Sequence, residues 1–227
     1  MNAFPWGATS GTAGSPRALT RRYMFGLAAG ALVVPFASCM ASAQQASGPM
    51  LPIERLDAAL LAAMKAGGTT PFAQRYAMLA PAVQQAFDLN ALLRAAVGFG
   101  WYSLPMEQKS ALASAFQRYT VSSYAANFDS YDGQSFRVLP QTRQLPNGEV
   151  VVSTEIIRPN KSPVEIDYVM RPMVEGWKAV DILSDGTVSQ VAVQRSDFAE
   201  LLASGGAPAL RAGLERKVTT LSGGAMA

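Results

Sequence analysis

Histidine is absent from this 227-residue sequence, and cysteine occurs once, at Cys39. Without imidazole or a second thiol, the chain cannot build a Ser-His-Asp or Cys-His nucleophilic site. It also lacks the ligands on which most zinc and transition-metal sites depend, so no metal and no cofactor is expected. No disulfide can form within one copy, which leaves packing as the source of stability. Gly-rich phosphate loops of the Rossmann or Walker type are missing too. Charge is sparse, and its imbalance is local: Arg17, Arg21 and Arg22 account for the whole formal surplus of +3, and no Asp or Glu precedes residue 44. From residue 44 onward, acids and bases balance. A domain without net charge lacks the electrostatic footprint of a nucleic-acid binder, and has no overall reason to cling to an anionic membrane.

What the first 43 residues do contain reads as an export signal. The basic residues precede an uncharged run, Tyr23 to Ala37, which leads to Ala41-Ser42-Ala43, a small-x-small cleavage pattern. That run includes Pro35 and falls short of the roughly 20 apolar residues a spanning helix needs. Thr20-Arg21-Arg22 after a long polar leader suggests the twin-arginine route; Met24, where an aromatic or Leu is commoner, leaves the general secretory route as the alternative. Cys39 follows Phe36-Ala37-Ser38, a poor lipoprotein processing site, and reads as a bystander. The expected product is a periplasmic chain starting near Gln44, with a flexible leader over 44–52, one domain over 53–221 and a flexible tail over 222–227.

The first half of that domain has helical periodicity. Leu56, Leu60 and Met64 recur on one face, as do Phe72, Tyr76, Leu79 and Val83. Gly67-Gly68 breaks the first helix, Pro71 can open the second, and Pro81 ends or kinks it. Asp88 has the position of an N-cap for a short helix closed by Gly98. After Pro105, the residues Leu112, Phe116, Tyr119 and Ser123 form a further stripe. From Gly133 the period becomes two, with turn signals at Asp132-Gly133, Pro146-Asn147-Gly148, Pro159-Asn160, Glu175-Gly176 and Asp185-Gly186. This spacing predicts a meander of four antiparallel strands. In the third, Val164, Ile166, Tyr168 and Met170 face one way, while Glu165, Asp167 and Arg171 face the other. Val188 to Ala203 then reads as helix, Gly205-Gly206 stops it, and Pro208 opens a last helix bearing Leu210, Leu214 and Val218. Helices, then strands, then helices argue for an α+β fold with a curved sheet packed on helices.

Several segments carry a resemblance: Phe87-Asp88 leading to Gly98 and Trp101; Gln108 with Phe116 and Tyr124; Val164 to Tyr168; Gly176-Trp177-Lys178 with Asp181; and Arg195 to Phe198 before Gly205-Gly206. Taken in order, they resemble the MlaC-like, or toluene-tolerance, family of periplasmic lipid-binding proteins. Phe128 to Phe136 and Asp185 to Gln190 are most similar to its hopanoid-associated branch, HpnM. The resemblance implies a cone-shaped α+β fold enclosing an apolar cavity, with a phospholipid or hopanoid as ligand. It also implies shuttling between an inner-membrane lipid transport complex and an outer-membrane acceptor, without catalysis.

Lipid tails cost about 0.8 kcal/mol per CH2 group exposed to water, so a carrier must offer a dry interior. Phe116, Tyr119, Val152, Ile166, Tyr168 and Met170 are the candidate ligand-contacting residues, being apolar at helix or strand spacing and converging on one side. The same pattern also describes an ordinary core. Trp177 reads as an anchor of sheet packing, and Asp197 as part of a helix cap. Asp181, set among Val180, Ile182 and Leu183, is the most unusual carboxylate. With Tyr168 it offers an acid-base pair for an isomerase or hydratase in an apolar pocket, the alternative function. A non-catalytic adaptor with a filled core is the third.

Overall fold

The computed structural model describes residues 48–226. The export signal, the start of the leader and Ala227 lie outside the described residues.

Helix α1 spans Leu51–Ala66, with Pro52 in its first turn, where a missing N–H costs nothing. It buries Ile53, Leu56, Leu60, Ala63 and Met64 and ends at Gly67, whose φ of 75° favours glycine. Helix α2, Phe72–Ala86, follows Pro71 and runs through Pro81, so that proline does not end it. Leu79 and Val83 supply its buried face, and packing against α1 compensates for the one hydrogen bond a proline removes. Asp88 caps α3, Leu89–Val97, by accepting from the Ala91 N–H at 2.9 Å. A single turn, α4, Gly100–Ser103, leads past Pro105 into α5, Met106–Asn127.

Helix α5 is buried on every face from Tyr119 to Ala125, because α2, α3 and the final helix surround it. The sequence stripe therefore understates its burial. Thr120 and Ser123 sit inside by donating their hydroxyls to the carbonyls of Phe116 and Tyr119, each at 2.9 Å.

The sheet is an antiparallel meander in the order β1-β2-β3-β4-β5. It comprises β1 (Ser135–Gln144), β2 (Val150–Arg158), β3 (Lys161–Met173), β4 (Gly176–Ser184) and the two-residue β5 (Val188–Ser189). Among the described residues it has five strands rather than the expected four. Val188 and Ser189 pair with Ser184 and Leu183, so the helix expected from Val188 starts only at Gln190. Pro140 is accommodated on the edge strand β1, where the register slips between Val138 and Thr142. The final helix, α6, spans Gln190–Leu221 and is broken at Gly205–Gly206, just before Pro208, as the sequence indicates. Gly206 has a φ of 63°, and a Cβ at Gly205 would meet the Ala209 Cβ at 2.9 Å.

One continuous apolar core joins α1, α2, α3, α5 and α6 to the inner face of β2, β3 and β4. A small second cluster of Ala91, Val169 and Val180 lies on the other side of the sheet, where β4 bulges between its pairings with Val169 and Met170.

Candidate functional site

The meander aligns Val152 opposite Tyr168, and sets Ile166 and Met170 on the same face at the strand period. Phe116 and Tyr119 approach from α5, their rings 6.5 Å apart, and Phe116 also meets the edge of Phe198 from α6 at 6.3 Å. All six candidate residues fall within the single core cluster, each less than a tenth exposed. An aromatic chain continues through it: Tyr168 lies 6.1 Å from Phe87, Phe87 5.9 Å from Tyr124, and Tyr124 stacks on Phe128 at 5.9 Å. These side chains are packed on one another. The open cavity that the resemblance implies is not shown among the described residues, where these side chains are buried against one another.

That interior also holds polar groups that apolar periodicity does not flag. Asp57, on α1, is buried, and its Oδ2 has no hydrogen-bond partner among the described residues; the same is true of the Tyr124 hydroxyl and of Ser122 Oγ on α5. Burial, with the nearby Glu54 adding to it, pushes the Asp57 carboxyl up to about 7. Burial likewise raises the Tyr124 and Tyr168 phenols, and each also feels the charge of Asp57. The carboxyl and the two phenols thus share one low-dielectric region. The sequence does carry a signal for Asp57: it occupies the core face of α1, on the helical spacing of Ile53, Leu60 and Met64.

Asp181 belongs elsewhere. It pairs with Val169, whereas Tyr168 pairs with Ile182, so the two lie on opposite faces of the sheet and form no acid-base pair. Asp181 Oδ2 accepts from the Ser189 hydroxyl at 2.6 Å, and Oδ1 accepts from the Ile182 and Val191 N–H groups. Ser189 in turn caps α6 by accepting from the Ala192 N–H at 3.1 Å. The carboxylate therefore ties β4 to the start of α6. Trp177 is half-buried against the core, opposite Pro172, and Asp197 is exposed on α6. Asp167, expected on the polar face, is on it but is buried, with Arg143 4.0 Å away.

Outside the core, a recess of about 270 Å³ lies where α3, α4, α6 and the bulged strand pair meet. Arg94, Arg171 and Arg195 line it together with Phe99 and Tyr102. A smaller recess of about 220 Å³ separates the start of α5 from the limb of α6 after its break.

The model of the family described as "MlaC protein" matches residues 54–216, most of the chain. The chain belongs to the MlaC family.

This MlaC chain is also similar in fold to a solved phospholipid-binding protein from Ralstonia solanacearum, determined in complex with a phospholipid. The two share 20% sequence identity with a TM-score of 0.66, and the match covers 77% of this chain and 99% of that one. At that identity the match speaks for the fold: helices and an antiparallel meander around one interior. The six candidate residues of the MlaC chain lie between its helices and its sheet.

Proposed function

We propose that this MlaC-family protein is a non-catalytic lipid carrier of the periplasm, taking a phospholipid or a hopanoid into the space between its sheet and helices. The observation that carries this reading is the convergence of Phe116, Tyr119, Val152, Ile166, Tyr168 and Met170 in one apolar interior. The fold is shared with a protein whose structure holds a phospholipid. Loading requires the sheet and the helices to part, because the interior is closed by its own side chains. The carrier exchanges its lipid with an inner-membrane lipid transport complex and an outer-membrane acceptor, and export removes residues 1–43. The isomerase-like alternative loses its acid-base pair, since Asp181 holds a helix cap on the far face of the sheet.

The test is organic extraction and mass spectrometry of the protein isolated after export. A carrier yields lipid in a stoichiometric amount, and comparison of cells with and without hopanoid synthesis separates the two ligand classes. Ile166→Trp should lower lipid occupancy while the lipid-free protein stays folded. A wild-type protein that carries no lipid, with a variant that merely loses the roughly 1–3 kcal/mol of an overpacked core, overturns the proposal.

A further inference from the structure

The arginine-lined recess is not part of the interior site. Its walls come from segments far apart in sequence: Arg94 on α3, Arg171 on β3 and Arg195 on α6. Acids and bases balance over residues 44–227, so a local meeting of three guanidinium groups is a departure from the whole. Arg171 is neutralised by Glu149, with its Nε at 2.8 Å and its Nη2 at 2.6 Å from the same carboxylate oxygen. Arg94 and Arg195 have no ion pair among the described residues. Arg195 lies directly over Gly98, where a Cβ would come within 3.0 Å of its Nη2. Gly98 has a φ of 73° as well, so both its backbone and the guanidinium above it depend on the missing side chain.

Two large side chains that line this recess point into water, and so does a third that follows them closely in sequence. Phe99 is 92% exposed and Tyr102 71%, and Met106, at the start of α5, is 77% exposed. Large apolar side chains presented to solvent next to cationic ones are the composition of a surface that meets a bilayer. The guanidinium groups suit phosphate oxygens, and the aromatic rings suit the boundary between head groups and acyl chains. A free anion in solution has a use for the arginines but none for Phe99, Tyr102 and Met106.

We propose that this recess and these exposed side chains are a docking surface for an anionic bilayer, with Arg94 and Arg195 on lipid phosphates and Phe99, Tyr102 and Met106 seated at the interface. The inference rests on the carrier reading, because it supplies the membrane contact at which lipid is exchanged. Phe99 and Tyr102 lie at α4 beside Arg171 and Val180, and so the contact is made where α3, α4 and α6 meet the outer face of the sheet.

The test is co-sedimentation of the exported protein with phosphatidylcholine vesicles, with and without phosphatidylglycerol, over a range of salt. Binding is expected only with phosphatidylglycerol present and should weaken as salt rises. R94Q/R195Q should weaken it about tenfold or more, and Phe99→Ser with Tyr102→Ser comparably, while K161Q at the start of β3 should not. Co-purified lipid is measured on each protein in parallel. A protein that keeps its lipid but ignores the vesicles overturns the docking surface alone, and one without lipid overturns the carrier reading. Displacement by inorganic phosphate with no effect of the Phe99 and Tyr102 changes makes the recess a free-anion site and also overturns the proposal. Wild-type vesicle binding in R94Q/R195Q does the same.

Discussion

A carboxyl on the core face of a helix must be partnered or neutral, and the Oδ2 of Asp57 has no partner among the described residues. Its pKa, raised from 3.8 to about 7, expresses the second solution. The folded chain then keeps a proton that the unfolded chain gives up. Between about pH 4 and 7 the folded state binds more protons, so this group lowers stability as pH rises through that window. Below the window its contribution is flat, and above it the penalty is complete. Each tenfold difference in proton affinity between the folded and unfolded chain is worth about 1.4 kcal/mol, which sets an upper limit of roughly 4 kcal/mol. Asp57→Asn should remove this component: in urea denaturation, its stability relative to wild type should increase from pH 4 to about pH 7. A constant difference across that range would show that Asp57 is ionised and solvated in the folded protein.

At the scale of elements, the weak point is the junction of β4, β5 and α6. Asp181 accepts from the Ser189 hydroxyl and the Val191 N–H, and Ser189 caps the helix. Asp181→Asn turns an acceptor into a group that is half donor, and a disturbed cap of this kind costs about 0.5–2 kcal/mol. Thermal denaturation should show that loss while co-purified lipid per protein is unchanged; depleted lipid at unchanged stability would instead place Asp181 in ligand handling. Most element ends are legible in the sequence because they rest on single residues with one physical job, such as Asp88 as a cap and Gly67 and Gly206 at positive φ. The strand β5 is not, since two residues display no period and Val188 fits a helix as readily as a bridge. Pro81 misleads for a related reason: its local penalty is real, but the tertiary packing of Leu79 and Val83 outweighs it. Of the interior, the apolar strand and helix positions can be read from their spacing. The recess cannot, because Arg94, Arg171 and Arg195 converge only once β3 and α6 are laid against α3.

For the whole molecule, the closed interior bears on how a carrier survives without cargo. Side chains that fill the space between sheet and helices leave no large void to be stabilised by lipid alone, so the lipid-free chain should be a folded protein rather than an expanded one. Lipid that binds only the folded chain then adds stability by mass action, about 2.7 kcal/mol at a free concentration one hundred times Kd. For a domain of this size, that corresponds to a rise in Tm of roughly 5–10 °C. Stripping the protein of lipid should therefore leave its far- and near-ultraviolet circular dichroism native and its unfolding cooperative, and adding phospholipid back should raise Tm by several degrees. If the stripped protein instead loses its near-ultraviolet signal and binds hydrophobic dyes, the packed interior is not its resting state. Lipid would then be a structural component of the core rather than a passenger, and exchange would have to be coupled to partial unfolding.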